Sequence, residues 1–147
     1  MNEATDAAVR EWTTTASCVF QRALLAGCAQ CELAQRQALG ERERVACPSP
    51  TAQTNCATLA ALLHERARFV LRLPRPGEPM AHAKAMQLQC GGLIGLRSAL
   101  AAPDADVHRM VLMAHAGSHS LLDLPWDRIV HDIKSWQPRR RAAPARP

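Results

Sequence analysis

The chain is expected to be all-α, a single-domain helical bundle of about four to five helices. Three observations predict this. Hydrophobic residues fill 48% of 147 positions, yet aromatic residues fill only 3% and Tyr is absent. The core must therefore come from Leu, Ala, Val and Met, and abundant Ala with few β-branched residues favours helix over sheet. Apolar residues recur at steps of three and four, and no alternating run is long enough to nominate a strand.

A first helical segment is expected over about 5–39, which holds no proline. Phe20, Leu24, Cys28 and Cys31 share one helical face there, and Gly40 is a natural stop. Residues 41–54 read as a loop, because Pro48 and Pro50 forbid a continuous helix. The run Glu41-Arg42-Glu43-Arg44 reads as solvated surface. A second helix is expected from Thr54 or Asn55, either of which can cap it. Leu59, Leu62, Leu63, Phe69, Val70 and Leu73 supply its apolar positions. Pro74, Pro76, Gly77 and Pro79 then form a linker.

A third helical region is expected over about 80–101, with Cys90-Gly91-Gly92 in its middle. Pro103-Asp104 marks its end. A fourth helix through about Ala116 turns Val107, Met110 and Val111 inward. Pro125 suits the first turn of a last helix, whose apolar side is Ile129, Ile133 and Trp136. Residues 1–137 are thus expected to form one helical metal-binding domain. The Pro/Ala/Arg-rich tail, 138–147, is expected to be disordered.

Charge narrows the function classes. The net charge is +5, but Arg139, Arg140, Arg141 and Arg146 carry four of those charges, leaving +1 on 1–138. The body has no basic face of the kind nucleic-acid binding needs, so no nucleic-acid partner is expected. The start, Met1-Asn2-Glu3-Ala4-Thr5-Asp6, lacks the basic and apolar regions of a secretory signal. No apolar run is long enough to span a membrane. A cytoplasmic chain with reduced thiols is the expectation.

The cysteines are the most informative residues. Of six, four fall within 29 positions: Cys28, Cys31, Cys47 and Cys56. Reduced cysteines in clusters bind metal or do redox chemistry. An inert alternative competes, since Cys is among the most buried residue types. Disulfides or a Cys28/Cys31 thiol pair also compete, although a CxxC redox motif normally sits beside a βαβ unit, and none is evident. Zinc sites usually draw on two short ligand pairs. Here one CxxC is joined by scattered singles, which suits the separated iron corners of a [4Fe–4S] cluster better. Cys47-Pro48 is also the dipeptide that closes bacterial ferredoxin motifs, although the rest of that pattern is absent.

The expected ligands are Cys31, Cys47, Cys56 and Cys90, with Cys28 as the substitute fourth. Cys56 at a helix N-terminus would meet the positive end of the helix dipole. Gly91 and Gly92 would let their N–H groups approach a cluster sulfur, so both are candidate cofactor-binding residues. Cys18 reads as a small buried hydrophobe. Gly91-Gly92-Leu93-Ile94-Gly95 lacks the Lys-Ser/Thr of a phosphate loop. His115 and His119 share a helical spacing but have no completing ligand, and His64, His82, His108 and His131 carry no motif. No catalytic arrangement is evident, which leans against an enzyme. The expected function is a small iron–sulfur protein in electron transfer, redox sensing or structural support, working with a protein partner. The alternatives are a zinc-stabilised interaction module and a metal-free helical adaptor.

Overall fold

The computed structural model describes residues 16–118 and 120–138. The expected helix over 5–15, His119 and the tail from Arg139 lie outside the described residues. Among the described residues, five α-helices and one β-hairpin follow in chain order: α1 Gln21–Leu25, β1 Gln35–Leu39, β2 Arg42–Ala46, α2 Pro50–Leu71, α3 His82–Leu100, α4 Val107–Ser118 and α5 Trp126–Ser135. A 3-10 turn, Leu121–Asp123, joins α4 to α5. The chain is mostly helical but not all-α.

The departure lies within the segment read as one long helix. Gly27 takes φ +78° and ends α1 within a turn. β1 and β2 pair antiparallel with Leu39 opposite Arg42, leaving Gly40 and Glu41 as the turn. Gly40 sits at φ +65° and Glu41 does not share that sign, as in a two-residue hairpin turn with glycine first. Only one β-branched residue, Val45, lies in the hairpin, so propensity did not mark it. Arg36, Glu41, Arg42 and Glu43 are exposed and Arg44 is half-buried, while Val45, Ala46 and Gln37 are buried.

α2 begins earlier than expected. The Ser49 hydroxyl accepts from Ala52 N at 3.2 Å and Pro50 opens the first turn, a favourable pairing of cap and proline. The buried stripe of α2 runs Leu59, Leu62, Leu63, Ala67 and Leu71. Phe69 falls on the other side of the helix and is 89% exposed. The expected inward residues of the last two helices do face the core: Val107, Met110, Val111, Ile129 and Ile133 are all buried.

α3 is the central packing element. A Cβ on Gly91 would stand 2.8 Å from the Ile133 Cα, and one on Gly95 would stand 3.2 Å from the Ile129 Cα. Two glycines four apart thus face two isoleucines four apart, and the backbones of α3 and α5 approach closely. A Cβ on Gly92 would meet Leu63 Cδ2 of α2 at 2.8 Å. Gly91 and Gly92 therefore serve helix packing in an unbroken helix. This gives both glycines a steric role in place of the cofactor role expected for them.

The disulfide Cys28–Cys90 joins the segment after α1 to the middle of α3, with Cα atoms 5.6 Å apart, a spacing ordinary for such bonds. Gln89 adds a second tie: its Oε1 accepts from Ala23 N at 3.2 Å and its Nε2 donates to Val19 O at 3.3 Å.

Three stability outcomes follow. Gly91→Ala should destabilise by about 1–2 kcal/mol in urea unfolding, because overpacking against backbone outweighs the helix propensity gained. Gly92→Ala should cost less, since Leu63 can shift a methyl. Equal losses would show that the backbone approach is not limiting. Cys28→Ala should cost up to about 4 kcal/mol relative to the oxidised protein, by reopening a long loop in the unfolded chain. An unchanged unfolding midpoint would exclude that bond as a stabilising link.

Candidate metal-thiolate site

Four free cysteines, Cys18, Cys31, Cys47 and Cys56, line one pocket. Each arrives on a different segment, and hydrogen bonds between backbones bring them together. Cys18 N donates to Val45 O at 2.8 Å, and Cys47 N donates to Ala16 O at 2.9 Å. Ser17 and Ala46 form an antiparallel bridge between these bonds. The stretch 16–18 thus lies along β2 like a short third strand, and it places Cys18 near Cys47.

Cys31 is placed from the other side. Gln30 N donates to Ala105 O at 3.1 Å, and Val107 N donates to Gln30 O at 2.8 Å. This clamp holds the chain just before Cys31 against the start of α4. Asp106 is 2% exposed and caps the same helix, accepting from Arg109 N at 3.1 Å. Cys47 precedes the cap of α2, and its Sγ donates to Ser49 O at 3.5 Å. Cys56 lies in the second turn of α2, one turn beyond Ala52, so both side chains reach the same pocket.

The remaining walls are mostly apolar: Val19, Ala34, Ala52 and Val107, with Gln53 and His108. The cavity itself is about 20 Å³, room for roughly one water molecule. No organic ligand fits such a space. Gln53 Nε2 donates to Ser17 O at 3.0 Å, while its Oε1 is buried without a hydrogen-bond partner.

Burial pushes the Cys56 thiol up to about 12, and the neighbouring Cys18, Cys31 and Cys47 push it the same way. Cys18 is also raised, chiefly by burial, with a backbone hydrogen bond at Phe20 opposing and Cys31 and Cys47 reinforcing. The position expected for Cys56, at a helix N-terminus, is corrected: α2 starts six residues earlier, at Pro50, and the dipole effect fades beyond the first turn. Four thiolates cannot coexist here without a cation to balance them.

At the rim, Glu32 Oε2 accepts from Arg109 Nε at 3.1 Å, and Arg109 Nη1 reaches Asp104 Oδ2 at 3.0 Å. His108 Nε2 stands 3.8 Å from Glu32 Oε1. This network ties the residue after Cys31 to α4 a second time.

The expected ligands divide. Cys31, Cys47 and Cys56 come together; Cys90 does not join them. Cys90 is fully buried and bonded to Cys28, which also removes Cys28 as the substitute. Cys18 takes the fourth place. Sequence reasoning passed over it because it was assigned to a helical core. A strand at 16–18 was the missing signal, and nothing local marks one. Among the described residues, no group of three or more His, Cys, Asp or Glu converges closely enough to hold a single metal ion. The thiols instead stand around the wall of the pocket. No helix among the described residues is long and apolar enough to cross a membrane.

The raised thiol of Cys56 has a stability consequence. In the reduced, metal-free protein the folded state keeps protons that the unfolded chain releases above pH 9, so stability should fall as pH rises from about 9 to 12. Urea midpoints at pH 7, 9 and 10 measure it. A midpoint that rises over that range would contradict the buried-thiol arrangement.

No protein-family model, curated protein or solved structure matches this chain.

Proposed function

We propose that this chain is a small iron–sulfur protein holding a [4Fe–4S] cluster through Cys18, Cys31, Cys47 and Cys56, with an electron-transfer, redox-sensing or structural role beside a protein partner. The observation that carries the reading is the convergence of four free thiols from four segments on one apolar pocket. The donor set fits the group. Cysteine thiolates are the ordinary ligands of such clusters, and no carboxylate lines the pocket.

The donor set favours a cluster over a single ion: four cysteines from four segments line the pocket without a carboxylate. A cluster has separate corners, and ligands spaced around it suit that body. When bound, it would supply one-electron redox chemistry at a potential set by its surroundings. The chain's residues would exclude water through Val19, Ala34 and Val107. Gln53 and His108 would be the polar groups at its edge. Loading requires the pocket to widen and its thiols to lose their protons, so retention should weaken as pH falls.

Zinc is the second reading, favoured by the small volume of the cavity. It would make the chain a zinc-stabilised interaction module with the same four ligands and no redox role.

Anaerobic purification followed by visible spectroscopy and iron, sulfide and zinc analysis separates the two. A brown protein with matched iron and sulfide is expected. Cys18→Ala should lose the colour, whereas Cys28→Ala should keep it. Zinc alone would move the assignment to the module. A colourless, folded and metal-free protein would sink both metal readings.

A further inference from the structure

A second pair of cysteines lies outside the pocket and is built differently. Cys28 and Cys90 are bonded while the four pocket cysteines remain thiols. Access to the bond is one-sided: Cys28 is half-buried and Cys90 is fully buried. An incoming thiol or disulfide would therefore meet Cys28 first.

The two ends also differ in freedom. Cys90 sits on α3 directly before the glycines that press on Ile133 and Leu63. That helix has no room to retreat. Cys28 instead follows Gly27, a turn residue with φ +78° and nothing within 4 Å of a Cβ position. Its neighbour α1 has its own tie to α3, through Gln89. Cys28 N donates to Ala23 O of α1 at 3.0 Å, so movement on reduction falls on the Cys28 side chain and on the short stretch Ala29-Gln30-Cys31 that follows it. The disulfide anchors that stretch at one end, and the Gln30 clamp on Ala105 and Val107 anchors it at the other. Cys31, on the pocket wall, follows directly.

We propose that Cys28–Cys90 is a reversible two-electron redox site that exchanges with low-molecular-weight disulfides, and that its oxidised form holds Cys31 in the four-thiol pocket. The second half of this rests on the pocket being a metal-thiolate site. Oxidation begins when the Cys28 thiolate attacks one sulfur of a disulfide RSSR, expelling one RS⁻ and forming a mixed disulfide. The Cys90 thiolate then attacks Cys28 Sγ and expels the second RS⁻. The protons lost by Cys28 and Cys90 leave with the two RSH, so two protein thiols are oxidised as one RSSR is reduced. In the reduced form the two sulfurs must stand further apart. Cys28 moves because α3 cannot, and Cys31 loses one of its anchors. Metal held by Cys31 then leaves faster.

The test uses Zn²⁺ as the probe in the full chain. Zinc is loaded first, and transfer to a chromophoric chelator is timed for oxidised protein, phosphine-reduced protein and Cys28→Ala. Intact mass counts the thiols in glutathione redox buffers. Release should quicken about tenfold in both the reduced protein and Cys28→Ala, as for loss of other supporting contacts around a metal site. The mass should change reversibly by two hydrogens. Gly95→Ala, which loosens α3 against α5 without touching Cys28, should leave release near the oxidised rate. Equal release in all forms overturns the coupling. A Gly95→Ala rate matching Cys28→Ala also overturns it, since loss of global stability would then be the cause. A bond that never opens in the glutathione buffers overturns the exchange site. Failure of the oxidised protein to hold either zinc or an iron–sulfur cluster overturns the pocket reading instead.

Discussion

The close approach of α3 to its neighbours is the constraint on which the rest depends. Gly91 and Gly95 bring the α3 backbone onto Ile133 and Ile129, and Gly92 admits Leu63. Side chains at these positions would hold the helices apart and open the core. A helix seated this firmly gives fixed positions to the residues between and beside its glycines. Gln89 uses that fixity to hold α1, and Cys90 uses it to hold the segment leading to Cys31. A glycine-rich stretch that costs helix propensity is kept because the packing it permits is tighter than any side chain would allow.

The thiol pocket is made by a different kind of force. None of its four cysteines is brought in by apolar packing alone. The bridge at Ser17 and Ala46, the Gln30 clamp on α4 and the Ser49 cap of α2 are backbone and capping hydrogen bonds. These bonds are directional, so they set where each segment lies more sharply than burial does. The cost appears in the thiols, whose burial among one another raises Cys56 and Cys18. A pocket of neutral thiols that resist ionisation singly, yet face one another, is stabilised when a positive centre takes their charge.

The two cysteine groups differ in structural setting. Cys28 and Cys90 bridge the segment after α1 and the middle of α3. The four pocket cysteines sit where an irregular segment, a hairpin and two helix starts meet. The Glu32–Arg109–Asp104 network and the Gln30 clamp both hold the Cys31 side to α4. Cys31 is therefore the residue at which the two groups can influence each other.

The amino-acid sequence by itself determined the helices that carry their own signals. The stripes at Val107, Met110 and Val111 and at Ile129 and Ile133, the linker at Pro74–Pro79, and the boundary at Pro103 all stand in the structure. Helical periodicity and proline act locally, so they can be read locally. Cys31, Cys47 and Cys56, expected together, do line one pocket, although Cys56 lies in the second turn of α2 and not at its start. Tertiary structure alone decided the hairpin, because Gln35–Ala46 is too polar and too poor in β-branched residues to announce strands. It alone exchanged Cys90 for Cys18 as the fourth member of the pocket. That choice depends on a backbone bridge between residues almost thirty positions apart and on the pairing of Cys90 with Cys28, across 62 residues. Contacts at such separation leave no periodic trace in the chain, since they are set by which surfaces meet once the helices have packed.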